Sequence, residues 1–173
     1  MIPCTKMNGN GNDFLVINNM DLKYSAETLS LFAKALCRRR ESLGADGILS
    51  AEPSDLHDFK MRLFNRDGTE GEMCGNGARC IARFAFLKGI VNKSDMTFET
   101  LGGRVDASVK GTKASLKLSP VDISNIVRDV PESVEGYDFS YTFLTVGVPH
   151  AVIFEKSRLD SEDRYRKIGR AIR

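Results

Sequence analysis

Apolar and polar residues alternate over much of the first two thirds of the chain, a pattern typical of β-strands. Between residues 58 and 65, Phe59, Met61 and Leu63 share one face and basic residues occupy the other, which predicts a half-buried strand. Further strands are predicted at residues 14–17, 48–50, 97–100, 104–108 and 114–118, with a new set of strands beginning near Phe139. Residues 120–135 read as a connection between the two sets.

Two segments carry helical signals instead. Ser25 is a suitable N-cap for a first helix that ends near Arg39, because apolar residues recur at helical spacing within it: Leu29, Phe32, Ala33 and Leu36. A second helix, at residues 78–87, is apolar on nearly all sides, and Gly89 can end it. Such a helix must be enclosed, so we expect a curved sheet around it.

The sequence also contains an internal repeat. Residues 11–17 align with residues 147–153, an offset of 136 residues, and the same offset relates two N-cap candidates and three apolar helix positions: Ser25 and Ser161, Leu29 and Tyr165, Phe32 and Ile168, Leu36 and Ile172. Chance is the alternative, since strand-then-helix units are common. One offset held without a gap across a loop, a strand, a cap and a helix face favours a repeat.

The repeat predicts how the chain is organised. Its first copy extends to Leu118, whereas the second stops at Arg173, inside the matching helix. We therefore expect a first half-domain at residues 1–119, followed by a linker and the incomplete start of a second half-domain at residues 120–173. On this interpretation the chain is the front part of a longer protein or a shortened form of it. A natural short form would have to cover an exposed apolar face in another way.

Composition excludes several classes of protein. The chain has 173 residues, of which 25 are Lys or Arg and 23 are Asp or Glu. A net charge of +2 does not indicate nucleic acid or an anionic membrane as the main partner. The sequence has no apolar run near the ~18 residues of a membrane span and no signal-peptide pattern at its start. The four cysteines are therefore interpreted as reduced thiols in a cytoplasmic protein.

The densest group of chemically active residues lies at positions 72–80, just before the apolar helix. Cys74 would lie at the helix N-terminus, where free N–H groups and the helix dipole favour a thiolate. Gly75 and Gly77 allow a ligand to approach the backbone closely, and the same N–H groups can bind a carboxylate. The alternative is a structural cysteine beside a flexible loop. The two glycines, Asn76 and the helix start favour the functional interpretation.

Other roles for the polar residues and cysteines are weaker. Five residues separate Cys74 from Cys80, more than the two to four typical of a zinc knuckle, so no metal site is predicted. Packing is the interpretation for the three remaining cysteines: Cys4, Cys37 and Cys80. A Cys-His-Asp nucleophile would have to use one of only two histidines, His57 and His150.

Two asparagines, Asn12 and Asn65, each lie beside a turn at the end of a strand. Such residues commonly adopt turn geometry, and in a loop-rich pocket they can instead hydrogen-bond a polar substrate. Both interpretations stay open on the residues alone.

Several segments resemble the motifs of diaminopimelate epimerases. Residues 6–14 (KMNGNGNDF) resemble the opening motif of that family, and residues 44–47 (GADG) resemble a further family turn. Residues 64–68 (FNRDG) and 72–80 (EMCGNGARC) resemble the active-site signature, and residues 147–152 (GVPHAV) resemble the Gly-x-Pro-His segment. The motifs occur in the family's order over nearly the whole chain, and the Cys-Gly-Asn-Gly-x-Arg-Cys signature is highly specific.

The resemblance implies an α+β fold in which a mixed, largely antiparallel curved sheet wraps around a central helix, with the start of a second pseudo-symmetric repeat. It implies a pyridoxal-independent epimerase that uses no cofactor and inverts LL-diaminopimelate to the meso form in lysine and peptidoglycan synthesis. In the family, each half contributes one cysteine, and the two cysteines face opposite sides of the substrate α-carbon. Cys74 matches the first cysteine, and the second is expected near position 210, so this chain alone is expected to be inactive.

The resemblance also assigns roles to individual residues. Those matching its substrate-binding positions are Asn12, Asn65, Gly75 and Asn76, and His150 matches the residue thought to tune the thiols. The expected partner is a small amino acid, and the family resemblance allows a homodimer. Many members have asparagine where this chain has Val148, which leaves a related two-cysteine racemase of another amino acid as an alternative. A non-catalytic fragment is the third interpretation.

Overall fold

The computed structural model of the protein describes residues 2–117, 120–121, 123–134, 136–146, 148–154 and 162–172. Its contacts divide the chain into two compact units, Met1–Ser119 and Pro120–Arg173. None of the helices in the described ranges combines the length and the apolar character needed to cross a bilayer.

The first unit is an eight-stranded mixed sheet with two helices. Its strands are β1 (Thr5–Gly9), β2 (Asn12–Asn18), β3 (Gly47–Glu52), β4 (Phe59–Asn65), β5 (Glu70–Gly71), β6 (Asp95–Thr100), β7 (Gly103–Lys110) and β8 (Lys113–Lys117), and its helices are α1 (Ala26–Leu36) and α2 (Gly75–Leu87). The strand order is β1-β2-β3-β4-β6-β7-β8, with β5 paired to β4. The pairs β2–β3 and β4–β6 are parallel and the others antiparallel. The predicted α+β class is confirmed.

Helix α2 lies inside the curve of this sheet. Strands β1 and β8, at opposite ends of the strand order, both contact α2, as do β2, β3, β4 and β7. Alanines at positions 78, 82 and 85 are fully buried on α2, and their small side chains let the strands approach closely. The prediction of an enclosed apolar helix is confirmed. The helix begins three residues earlier than predicted, at Gly75, because Cys74 is its N-cap.

Helix α1 packs on the other face of the sheet, against β3 and β4. The Ser25 hydroxyl accepts a hydrogen bond from the Thr28 N–H at 3.2 Å, as its predicted N-cap role requires. The helix ends at Leu36 rather than near Arg39. The Gly44 N–H binds the Leu36 carbonyl at 2.9 Å, so the returning chain satisfies the last turn of the helix.

The central strands are buried on both faces as a consequence. On β2, Phe14 and Val16 belong to the core around α2, whereas Leu15 and Ile17 belong to the core under α1. This two-sided burial explains why residues 14–17 form a continuous apolar run instead of an alternating one.

The second unit contains a three-stranded antiparallel sheet and one helix. Its strands are β9 (Val127–Val134), β10 (Tyr137–Val146) and β11 (Val148–Val152), in the order β11-β10-β9, and its helix is α3 (Glu162–Ile172). A short 3-10 turn spans Ile123–Asn125. The interpretation of residues 120–135 as a connection is wrong, because β9 occupies half of that range. Its charged residues and Pro131 lie on an edge strand, where an alternating apolar pattern is not required.

The order of elements repeats at the offset predicted from the sequence. Helix α3 begins and ends 136 residues after α1, and each helix follows an antiparallel hairpin, β1–β2 or β10–β11. Ile168 is the buried residue of α3. Four residues used in the repeat predictions lie outside the described ranges: Leu118, Gly147, Ser161 and Arg173.

A substitution at Gly9 tests how tightly the hairpin packs on α2. A Cβ atom there would lie 2.8 Å from the Asn76 carbonyl oxygen and 3.1 Å from the Cys80 sulfur. Gly9→Ala is expected to lower the free energy of unfolding by about 1–3 kcal/mol, because the hairpin must move away from α2. Urea denaturation measures the effect. The control is Gly75→Ala, where the nearest atom lies 3.9 Å away and a change within about 0.5 kcal/mol is expected. Equal losses in both variants would contradict this packing.

Candidate functional site

The sulfur of Cys74 lies at the start of the enclosed helix. Cys74 is the N-cap of α2, with extended backbone angles (φ −142°, ψ 117°), and it is half-buried. Its Sγ accepts a hydrogen bond from the Gly77 N–H at 3.5 Å, while its carbonyl accepts one from Ala78 at 2.7 Å. The predicted location at a helix N-terminus is confirmed. A backbone N–H of the first helical turn therefore points at this sulfur.

Two of the predicted substrate-binding side chains lie against this sulfur. Asn12 begins β2, directly after the turn at residues 10–11, and its Oδ1 lies 3.6 Å from the Cys74 Sγ, within reach of the thiol proton. The Asn76 Nδ2 donates to the same Oδ1 at 3.4 Å. The end of the β1–β2 hairpin therefore lies against the start of α2. Asn12 contacts Cys74 and Asn76 there, although they follow it by 62 and 64 positions in the sequence.

The other predicted site residues lie elsewhere or act through their backbone. Gly75 is the first residue of α2. The space beside its Cα is open, since a Cβ atom there would have its nearest neighbour, Arg79 Nη1, 3.9 Å away. Asn65 is exposed at the end of β4, where its Nδ2 donates to Thr69 Oγ1 at 3.1 Å. Among the described residues, no hydrogen bond joins Asn65 to Asn12 or Cys74.

His150 belongs to the second unit. It lies exposed on β11, opposite Leu144 of β10. Together with α3, these strands enclose a cavity of about 710 Å³ that His150 lines beside Pro149 and Tyr165.

Two residues that sequence reasoning missed hold Asn12 in place. The Asp46 Oδ2 accepts from the Asn12 Nδ2 at 2.7 Å and from the Asp13 N–H at 3.1 Å. The Arg39 guanidinium donates to Asp46 Oδ1 at 2.9 Å and to Asp13 Oδ1 at 2.5 Å. Burial opposes ionisation of Asp46, but the hydrogen bonds from Asn12, Arg39 and the Asp13 backbone outweigh it and lower its pKa to about 2. Asp46 is therefore a carboxylate at neutral pH.

Asp46 was visible in the sequence only as part of the GADG turn, with no role attached to it. Arg79 was likewise visible only inside the signature. Its Nη2 donates to the Asn76 Oδ1, at the far side of the site. The signal that could have singled out both residues is their charge: Asp46 is the one charged residue of GADG, and Arg79 is the one cation of EMCGNGARC.

The remaining cysteines differ from Cys74. Cys37 lies in the core under α1, and burial, followed by the charges of Asp13 and Asp46, raises its pKa to about 11. Cys80 lies in the core around α2, and burial raises its pKa as well. Cys4 is partly buried against the α1 core. These placements agree with their interpretation as packing residues.

Metal binding and a cysteine–histidine pair are the alternative roles for these residue types. Within the described ranges, no three His, Cys, Asp or Glu side chains are grouped so that they could hold a metal ion. The His57 Nδ1 lies 3.4 Å from the Thr97 Oγ1, and no hydrogen bond between described residues joins His57 to Cys74. The site instead offers a thiol, the N–H groups of a helix start and two amides. Together these can exchange a proton and hold a carboxylate.

Comparison with known proteins gives the family. The family model for diaminopimelate epimerase matches residues 4–123. The diaminopimelate epimerase of Caldanaerobacter subterraneus subsp. tengcongensis is 40% identical over 170 residues, covering 88% of this chain and 60% of the relative. That of a Hydrogenobaculum species is 39% identical over 179 residues, covering 98% and 63%. The chain thus spans about three fifths of the length of these curated relatives.

Solved structures share the fold at low sequence identity. A phenazine biosynthesis protein of the PhzF family from Bacillus anthracis has a TM-score of 0.64 at 14% identity, covering 88% of this chain and 54% of the neighbour. A probable proline racemase from Agrobacterium radiobacter K84 has a TM-score of 0.63 at 15% identity, covering 88% and 52%. These likenesses concern the fold, whereas the family model covers more than half of the sequence. The chain belongs to the diaminopimelate epimerase family.

Proposed function

We propose that Cys74 is one of two acid–base groups of an amino acid epimerase that converts LL-diaminopimelate to the meso form without pyridoxal phosphate or another cofactor. The observation that carries the proposal is the position of the Cys74 sulfur. It caps α2, accepts a hydrogen bond from the Gly77 N–H and lies beside two amide side chains. This geometry occurs in a chain that belongs to the diaminopimelate epimerase family.

Inversion at a chiral carbon requires two such groups. A single base returns the proton to the face from which it was taken, so hydrogen exchanges without inversion. An acid and a base on opposed faces, held in a dry pocket, allow one group to remove the α-proton while the other delivers a proton. The α-proton is weakly acidic, so the developing carbanion also needs its carboxylate held by positive dipoles.

The start of α2 can hold that carboxylate. The first N–H groups of a helix have no partner within the helix, and Gly75 and Asn76 supply them here. The side chains of Asn12 and Asn76 add amide groups on the sulfur's side of the site. Asn65 is proposed as a further substrate contact, because its exposed amide at the end of β4 is open to a polar ligand.

The proposal extends to the remaining assignments. His150 would tune the thiols. The opposing cysteine would come from outside these residues, since the sequence has no cysteine after Cys80. The 173-residue chain alone would then carry out no inversion unless a homodimer supplied a second Cys74. The reaction would serve lysine and peptidoglycan synthesis in the cytoplasm.

A second candidate function is racemisation of another amino acid by the same two-thiol chemistry. The observation that favours it is Val148, in a segment where many members of the family carry a substrate-contacting asparagine. A third candidate is a non-catalytic fragment that binds ligand weakly or associates with itself. A protein of the family's length that carries these residues, assayed with a panel of amino acids, separates the three. Turnover of another amino acid without turnover of diaminopimelate would establish the second.

Alkylation of Cys74 tests the reactive thiol. Iodoacetamide at pH 7 is expected to label Cys74 selectively, and Cys74→Ser is expected to abolish this rapid labelling. Cys37, with a pKa of about 11, has about one thiolate in ten thousand molecules at pH 7, so its labelling should rise only as the pH approaches that value. Peptide mass spectrometry locates the label, and Cys80→Ser is the matched control. Rapid labelling of another cysteine in Cys74→Ser would move the assignment.

Inversion by the purified 173-residue chain tests the need for a second thiol. Chiral chromatography of LL-diaminopimelate is expected to show no meso product, because only one face of the α-carbon has an acid–base group. A rate proportional to the first power of chain concentration, from a chain that analytical ultracentrifugation shows to be monomeric, would contradict this expectation. A rate that rises with the square of chain concentration would instead support a homodimer in which two copies of Cys74 act together.

A further inference from the structure

Four side chains form one hydrogen-bonded chain across the site. The Arg79 Nη2 donates to the Asn76 Oδ1, the Asn76 Nδ2 donates to the Asn12 Oδ1, and the Asn12 Nδ2 donates to the Asp46 Oδ2. Arg39 closes the series by donating to the other oxygen of Asp46 at 2.9 Å. Every donor between Arg79 and Asp46 thus points in one direction, from the guanidinium to the carboxylate.

The two ends of the chain determine how both amides are turned. A guanidinium can only donate hydrogen bonds, and an ionised carboxylate can only accept them. Asn76 must therefore turn its oxygen toward Arg79, and Asn12 must turn its nitrogen toward Asp46. The carbonyl oxygen of Asn12 is left facing the Cys74 sulfur, 3.6 Å away. An amide turned the other way would place an N–H donor there instead.

We propose that Asp46 and Arg79 are positioning residues of the epimerase site, which orient the Asn12 and Asn76 amides so that Cys74 faces an acceptor on the hairpin and a donor on the helix. The thiol proton has a defined partner in the Asn12 oxygen. The thiolate has a defined partner in the Gly77 N–H, 3.5 Å from Sγ. Each protonation state of Cys74 thus has its own hydrogen bond, which suits a group that removes a proton in one direction and returns one in the other.

The catalytic meaning of this arrangement rests on the proposed two-thiol function, but its geometry can be tested without turnover. The probe is the rate at which iodoacetamide alkylates Cys74 in the 173-residue chain at pH 7. Ultraviolet absorbance of the thiolate provides a second measurement. Neither depends on a substrate or a second cysteine, so a failure of the epimerase assay leaves this test intact, and the reverse also holds.

The decisive variant is Asp46→Asn. It keeps the shape of the side chain, but only one of its two terminal atoms, the carbonyl oxygen, can accept a hydrogen bond. The single carbonyl oxygen of the asparagine can then serve either the Arg39 guanidinium or the Asn12 Nδ2 and Asp13 N–H. Because the guanidinium is charged, it is expected to take that oxygen, so an NH2 group would face Asn12 and release its orientation. An amide N–H turned toward sulfur stabilises the thiolate. Alkylation of Cys74 is expected to become about three- to tenfold faster, the effect of losing one hydrogen bond and gaining another, with increased thiolate absorbance.

Asn12→Ala shows whether Asp46 acts through Asn12. Removing the acceptor alone is expected to accelerate alkylation of Cys74 by about two- to threefold. In the double variant the Asp46→Asn change should then add nothing, because the residue it orients is missing. Effects that multiply in the double variant, or an unchanged rate in Asp46→Asn, would overturn the proposal. If Asp46→Asn fails to fold, Asn12→Ala is the second variant. An unchanged alkylation rate of Cys74 in Asn12→Ala would also overturn the proposal.

Two controls separate positioning from a general loosening of the fold. Asp13→Asn removes the same charge from the same arginine but leaves both Asp46 oxygens in place, so the Cys74 rate should stay within about twofold of the parent rate. The buried thiols of Cys37 and Cys80 report on loosening. If their alkylation rises together with that of Cys74 in Asp46→Asn, the role of Asp46 is structural and the proposal fails.

Discussion

The close approach of the β1–β2 hairpin to the start of α2 is the contact on which the site depends. A residue with any side chain at position 9 would collide with the Asn76 carbonyl, so Gly9 sets the distance between hairpin and helix. The helix cannot retreat, because the curved sheet surrounds it and small residues already bring the strands close to it. Cys74 and Asn12 meet because both elements are fixed by packing, rather than through any strong bond between them.

Ion pairs hold the polar side chains whose positions packing does not determine. At the Asn12 end of the site, Lys6 and Arg39 form ion pairs that neutralise Asp13 and Asp46, two carboxylates that would otherwise repel each other. The loop that follows α1 carries Arg39, so the end of that helix is tied through Asp13 to the β1–β2 hairpin, which contacts Cys74 at the start of α2.

Much of this arrangement could be predicted from sequence because it depends on local patterns. The apolar character of α2, the cap at Ser25, the 136-residue repeat and the placement of Cys74 all follow from composition and spacing. Strand β9 could not be predicted, because an exposed edge strand with proline and charged residues has no apolar alternation. The role of Asp46 could not be predicted either, since its contact with Asn12 joins two loops 34 positions apart. The GADG turn that contains Asp46 could be identified from the sequence, but its contact with Asn12 could not.

The Cys74 sulfur and the nearby polar groups belong to parts of the molecule with different tolerance to mutation. Cys74 is carried by a helix whose interior positions are almost all committed to the core. Asn12 and Asn65, by contrast, are at strand ends beside turns, where residues can change with little effect on packing. Genetic drift in those turns can therefore change the polar side chains at the strand ends, while the position of the Cys74 sulfur, set by the enclosed helix, stays the same.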